Sequence, residues 1–400
     1  MNIIMKNLHE QDRKYILNTY KREKLVIEKA EGSYLYDIEG NRYLDMYSGI
    51  SVNNLGHDKK IVEAMVGQAS KYIHLSNYFV SEPVVSLAKL LAENSFASKV
   101  FFTNSGTESN EAAIKLCRKY GKSFDENKHE LLSAYNSFHG RTNGSLAITG
   151  QKKYQNSFSP LIPGVRYFEY NNIESLKEAA NENTCALFLE TIQGEGGIVE
   201  ISQKFIDEAV RLSTEYNFLI VIDEVQTGMG RAGDLFAYEK YNFNPDIVTI
   251  SKSLGGGIPL GAVLVNEKSE EVLTVGDHGS TFGGNPVSCA CGLYVLESIV
   301  NTNLLEEVKQ KGAFLIKKLN SLKENYPNII KDVRGRGLMI GIDVKNHANR
   351  IKELAQAKNI LLNSTADTII RLLPPLSISQ DEINQFLDIF EEIILQCNNQ

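Results

Sequence analysis

An aspartate and a lysine, Asp223 and Lys252, each follow a short apolar run: Phe218 to Ile222 precedes the first, and Ile247 to Ile250 with Ser251 precedes the second. An uninterrupted apolar run of that length is what a strand buried on both faces of a parallel sheet requires. In open α/β sheets ligands sit beyond the carboxyl ends of strands, so an acid and an amine face one crevice. With a phosphate site nearby, that pair suits pyridoxal phosphate. The lysine would form an imine with the cofactor aldehyde, and the buried carboxylate would keep the pyridine nitrogen protonated so that the ring accepts electrons. A buried salt bridge between strand ends is the alternative reading of the same two residues.

A phosphate site is offered upstream. The strand Val100 to Phe102 leads into Thr103-Asn104-Ser105-Gly106-Thr107-Glu108, and Ala113, Leu116, Cys117 and Tyr120 then share one helix face closed by Gly121. Strand, glycine turn and helix make an anion-binding geometry, with free N–H groups at the helix start and hydroxyls from Ser105 and Thr107. The plainer reading is a helix capped by a box of Ser105 and Glu108. After a strand at Leu131 to Ala134, Phe138, His139 and Arg141 could stack on a flat ring and clamp a carboxylate; alternatively Phe138 is core and Arg141 is solvated. Ala186 to Leu189 ends on Glu190, with Gln193, Gly194 and Glu195 beyond it. The glycines after Lys252 allow close approach to a ring, but no G-x-G-x-x-G opens a helix after a strand, which argues against a dinucleotide loop.

Amphipathic helical stretches at Ile173 to Ala180 and Phe205 to Tyr216 alternate with these strands, as repeated βαβ units of a mostly parallel sheet require. Short antiparallel strands come first, at Leu25 to Glu28, Ser33 to Tyr36 and Tyr43 to Asp45, and MYSGISVNNLGH reads as a loop leading into a helix around Ile61 to Ala69. Beyond Pro327, strands at Val333 to Ile342, Ile360 to Leu362 and Thr368 to Leu372, with a box of Ser379 and Glu382 opening the last helix, indicate a second, smaller α+β domain. The expected division is residues 1–60 as an N-terminal segment contributing to the small domain, 61–285 as the large domain and 286–400 as the C-terminal small domain. The net charge of −7, without a basic stripe, argues against nucleic acid or membrane surfaces as partners. No run approaches the roughly 20 apolar residues of a membrane span, and the first residues are unlike a signal peptide, so a cytoplasmic location is expected. The five scattered cysteines favour neither a disulfide framework nor a metal site; Cys289 and Cys291 read as small residues packed in a helix.

Taken in order, Asn104 to Glu108, Phe138 to Thr142, Asp223-Glu224-Val225-Gln226-Thr227-Gly228, Lys252 and Gly279 to Pro286 resemble the class III, fold type I pyridoxal-phosphate-dependent aminotransferases. The likeness extends from Ser33 to the final helix. It implies an α/β large domain with a mostly parallel seven-stranded sheet beside the small domain. It also implies Gly106 and Thr107, with Ser105, at the phosphate, Phe138 on the ring, Asp223 on the pyridine nitrogen, Gln226 on the phenolic oxygen, and Glu224 and Val225 beside the cofactor. Lys252 would be the imine-forming and proton-transfer lysine. Arg141, with Ser280 nearby, matches the binder of a substrate carboxylate, and Arg371 the binder of the second carboxylate of 2-oxoglutarate. Glu195 matches the glutamate that pairs with Arg371 when an amino donor occupies the site. Thr281 matches the position that reaches the neighbouring subunit's phosphate, which implies a homodimer with shared active sites. Ile50 stands where ornithine δ-aminotransferases carry a tyrosine, which favours an acylated or deaminated donor. Thr191 and His57-Asp58-Lys59 depart from the family pattern away from the cofactor. The implied reaction is ping-pong transfer of the δ-amino group of N2-acetylornithine to 2-oxoglutarate, with 4-aminobutyrate, ornithine or succinyl-ornithine as alternative donors. A cofactor-binding regulatory protein without turnover is the non-enzyme alternative.

Overall fold

The computed structural model describes residues 3–398. Helix α1 (Ile3–Tyr15) precedes an antiparallel set, β1 (Ile27–Glu31), β2 (Tyr34–Asp37) and β3 (Arg42–Asp45). Helices α2 (Lys59–Ala69) and α3 (Glu82–Glu93) follow. The Asp58 side chain accepts from Lys60 N and so starts α2, while Pro83 occupies the first turn of α3, where its missing N–H costs nothing.

The alternating region then runs β4 (Lys99–Thr103), α4 (Gly106–Lys122), β5 (Glu130–Ala134), β6 (Val165–Phe168), β7 (Thr184–Leu189), a hairpin of β8 (Ile192–Gln193) and β9 (Val199–Glu200), α5 (Gln203–Tyr216), β10 (Leu219–Asp223), β11 (Ile247–Ile250) and β12 (Gly261–Val265). Seven of these strands form one sheet in the order β4-β12-β11-β10-β7-β5-β6. Within it only β12 runs against its neighbours. Every residue of β7, β10, β11 and β12 is buried, because the sheet is covered on both faces. Leu187, Ile220 and Ile222 belong to the core on one face, and Ala186, Phe188 and Val221 to that on the other.

Helices α6 (Pro286–Val300) and α7 (Leu304–Asn325) lead into β13 (Asp332–Arg336), β14 (Met339–Asp343), α8 (Ala348–Ala357), β15 (Ile360–Leu361), β16 (Asn363–Thr365), β17 (Ile369–Leu372) and α9 (Gln380–Asn398). The single strand expected over Val333 to Ile342 is a hairpin, since Gly335 and Gly337 take φ of 128° and 55° and reverse the chain so that Arg336 pairs with Met339. β15 joins the first sheet parallel to β3, with Ile360 opposite Leu44, so N- and C-terminal segments share one sheet.

The glycine-bearing loop expected near Met46 holds an unusual feature. Ser48, Gly49, Ile50 and Ser51 have φ of 48°, 60°, 63° and 64°, four successive left-handed residues of which only one is glycine. Such backbone is disfavoured, most of all for a β-branched residue, and persists only where its surroundings over-determine it. Here Asp45 Oδ1 accepts from Tyr47 N and Ser48 N, both at 3.0 Å, and the buried Ser51 hydroxyl accepts from Arg231 Nε at 3.0 Å.

Candidate active site

Because β4, β5, β7, β10 and β11 run in parallel, their carboxyl ends deliver side chains to one edge of the sheet, where a cavity of about 440 Å³ opens. Ser105, Gly106 and Thr107 line it from the end of β4, Phe138 and Arg141 from β5, Glu190 from β7, Asp223, Val225 and Gln226 from β10, and Lys252 from β11. Glu195 lines it from the β8–β9 loop.

At one end, α4 begins at the glycine turn. Ser105 Oγ accepts from Glu108 N at 3.3 Å, but the Glu108 carboxylate turns back to Asn104 N and Nδ2, both at 2.8 Å. Half of the expected capping box forms, therefore, and its other half reaches one residue further. The N–H groups of Gly106 and Thr107 have no partner among the described residues. A Cβ at Gly106 would lie 2.7 Å from a methyl of Val225, so only glycine lets the helix start lie against this wall.

Asp223 is held from three sides. Its Oδ2 accepts from Asn110 Nδ2 and from His139 Nδ1, each at 2.8 Å, and its Oδ1 accepts from Val225 N at 3.0 Å. Asn110 is itself oriented by Thr249 Oγ1, which donates to its carbonyl oxygen at 2.8 Å. Burial alone would drive the proton off His139; the hydrogen bond to Asp223 and that residue's charge outweigh it and raise the imidazole pKa. Sequence reasoning missed Asn110. It lies four residues beyond Gly106, one helical turn on, and that spacing was the available signal.

Lys252 has φ of 35°, a strained conformation at the start of a short 3-10 turn. Burial of the amine, and then the positive charge of Arg371, push its pKa down to about 8. Glu190 is pushed up to about 7 by burial, against the pull of His139. Its two oxygens accept from Phe138 N at 3.0 Å and Gly194 N at 3.2 Å, tying together two loops of the cavity.

The two arginines differ sharply. Arg371, on β17, is buried and occupied: Nη1 lies 2.6 Å from Glu195 Oε1 and 3.3 Å from Gln226 Oε1, and Nη2 donates to Asn363 Oδ1 at 2.7 Å. Burial would raise the Glu195 pKa, but the charge and hydrogen bond of Arg371 overcome this and lower it. Arg141 is exposed, and its guanidinium makes no ion pair or hydrogen bond among the described residues. It lies over the rings of Tyr154 and Phe138.

Several expected site residues stand elsewhere. Glu224 does not line the cavity; its carboxylate accepts from Thr227 Oγ1 at 2.5 Å and Tyr238 N at 2.8 Å. Ile50 packs with Ile192, Ile198, Met339 and Leu373, while Val52 lines the cavity instead. Ser280 reaches the cavity wall through Asn104, whose Nδ2 donates to Ser280 Oγ at 3.1 Å. Thr281 is exposed beside Phe282.

These residues fit pyridoxal phosphate: a glycine cradle with two free N–H groups for the phosphate, a fixed carboxylate for a ring nitrogen, an aromatic wall and an amine of lowered basicity. The amine and the acid make no ion pair with each other among the described residues, Asp223 pairing instead with His139, and both line a cavity that holds an anion cradle. None of the helices of the described residues is long and apolar enough to cross a membrane.

The family model of class-III aminotransferases matches residues 15–394. An acetylornithine aminotransferase of Caldanaerobacter subterraneus subsp. tengcongensis is 44% identical over 386 residues, covering 96% of this chain and 98% of that one. The acetylornithine aminotransferase of Methanocaldococcus jannaschii is 44% identical over 393 residues, 98% of each chain. Among solved structures, the ornithine aminotransferase of Toxoplasma gondii ME49 superposes with a TM-score of 0.95 at 29% identity, covering 99% of this chain and 96% of that one. The acetylornithine aminotransferase of Elizabethkingia anophelis superposes with a TM-score of 0.87 at 31% identity, covering 98% and 99% respectively.

Proposed function

The chain belongs to the class-III aminotransferases, and from that premise we propose that it transfers the δ-amino group of N2-acetyl-L-ornithine to 2-oxoglutarate, giving N-acetyl-L-glutamate 5-semialdehyde and L-glutamate. This is a step of arginine biosynthesis. Its cofactor is pyridoxal phosphate, which when bound supplies an aldehyde to carry the amino group and a protonated ring to absorb the electrons released at carbon. Gly106, Thr107 and Ser105 would hold the phosphate, Asp223 the ring nitrogen, Gln226 the phenolic oxygen, and Phe138 and Val225 the ring. Lys252 Nζ takes the proton from the donor's δ-carbon and, in the second half of the cycle, delivers one to the α-carbon of the acceptor. An amine with a pKa near 8 is matched to both tasks at neutral pH.

The observation that carries the substrate reading is Glu195, which lines the cavity together with Arg141 and pairs at 2.6 Å with the buried Arg371 behind it, while Arg141 has no ion-pair partner among the described residues. A dicarboxylate needs two cations and a monocarboxylate donor needs one. Glu195 neutralises Arg371 while the donor is bound and releases it for the second carboxylate of 2-oxoglutarate, so no buried cation is left alone. Arg141 binds the carboxylate that both substrates share. The active unit is a homodimer in which Thr281 reaches the partner's site; its support is an exposed apolar surface at Tyr78, Phe79, Val80 and Phe282.

Steady-state rates at matched 2-oxoglutarate test the donor. N2-acetylornithine should have a higher kcat/KM than ornithine and 4-aminobutyrate; a preference for either of those moves the assignment to that amine.

A further inference from the structure

We propose that Tyr154 is a specificity-positioning residue, whose ring holds the Arg141 guanidinium in place to receive the donor's carboxylate. The proposal rests on the reading of Arg141 as the carboxylate binder. The guanidinium carbon of Arg141 lies 3.9 Å from the centroid of the Tyr154 ring and 5.5 Å from that of Phe138. The two rings meet edge to face, with centroids 5.9 Å apart and planes at 84°, so one side chain touches both the ring wall and the cation.

An exposed arginine ordinarily spreads over many rotamers, and ordering it on binding subtracts from affinity. Contact with an aromatic face restricts the guanidinium while consuming none of its N–H donors, which a hydrogen-bonding partner would occupy. Arg371 is held in the opposite way, by the oxygen acceptors of Glu195 and Asn363, of which Glu195 must give way to the second carboxylate of 2-oxoglutarate. Tyr154 is itself fixed. It sits in the short helical turn Lys152–Gln155, between two glutamines that anchor to neighbouring backbone. Gln151 Nε2 donates to Ser137 O at 3.0 Å, and Gln155 Nε2 donates to Thr149 O at 2.8 Å. The Tyr154 hydroxyl makes no hydrogen bond among the described residues, so the ring alone does the positioning. Lys153 Nζ lies 5.0 Å from the same centroid.

The test compares two donors on the full-length, cofactor-loaded enzyme: N2-acetylornithine, and N-acetylputrescine, which is the same molecule without its carboxylate. Tyr154→Leu should lower the ratio of kcat/KM between them by about 3- to 30-fold, the range a cation–π contact spans, chiefly through KM for N2-acetylornithine. The calorimetric Kd of N2-acetylnorvaline, a donor analogue without the reacting amine, should rise in parallel. Tyr154→Phe should retain the preference, and a series of increasingly fluorinated phenylalanines at this position should erode it stepwise without changing the shape of the ring. An unchanged ratio in Tyr154→Leu, or a flat fluorination series, overturns the proposal. Arg141→Ala separates it from its premise. If that variant keeps the preference, the carboxylate reading of Arg141 fails as well; if it loses the preference and Tyr154→Leu does not, only the role of Tyr154 falls.

Discussion

Free lysine holds its proton to about pH 10.4 and would be a poor base at neutral pH; withdrawal of Lys252 from water beside Arg371 is what makes it usable. Its pKa is lowered, so the amine is protonated and unreactive below about 8 and neutral above it. The rate at which cofactor-free protein captures pyridoxal phosphate covalently should therefore rise through that pH and level off, whereas a rate still climbing towards pH 10 contradicts the assignment. Glu195 is testable at the same scale. Glu195→Gln removes the charge that masks Arg371, so KM for 2-oxoglutarate should fall and KM for the amino donor should rise, each by roughly tenfold, about 1.4 kcal/mol. A shift of both KM values in the same direction, or no shift in either, read from double-reciprocal plots, would contradict a switching role.

At the scale of elements, the strained turn at residues 48–51 is held at its start by Asp45 and at its end by Arg231. Arg231, fully buried, donates from Nε to Ser51 Oγ, from Nη1 to Leu338 O and Pro374 O, and from Nη2 to Asn54 Oδ1, which joins three separated segments. Arg231→Met leaves the buried Leu338 and Pro374 carbonyls without these donors and should cost about 3 kcal/mol or more in urea unfolding; a change within experimental error would show that the turn holds itself. This part of the molecule was not legible in the sequence, because Ile50 and Ser51 oppose left-handed backbone locally and the contacts that impose it lie far along the chain. The strand ends were legible for the converse reason. A strand buried on both faces must be apolar throughout, so Asp223, Glu190 and Lys252 mark where it stops. Glu224 directly follows Asp223, yet its carboxylate is taken up by Thr227 Oγ1 and Tyr238 N, contacts that only the folded loop brings to it. Tyr154 carried no motif, and its position emerges only from how the loop after β5 packs against the sheet edge; Asn110 was marked only by its place one helical turn beyond Gly106.

At the scale of the whole molecule, Tyr78 and Val80 are 95% and 88% exposed in the single chain, more than an isolated soluble chain would leave bare in one segment. A second copy is the expected occupant, and Tyr78→Glu combined with Val80→Glu should give a monomer in sedimentation, with turnover lost alongside. A monomeric variant of full activity would remove the need for Thr281 to act across an interface. The central claim, that this cavity carries an amino group from N2-acetylornithine to 2-oxoglutarate, is tested most directly by the visible spectrum of the purified, cofactor-loaded protein as single substrates are added. The expected result is that the cofactor band disappears fastest with N2-acetylornithine, more slowly with ornithine and 4-aminobutyrate, and returns when 2-oxoglutarate is added. A band that N2-acetylornithine leaves untouched, or a protein that takes up no pyridoxal phosphate, would contradict it.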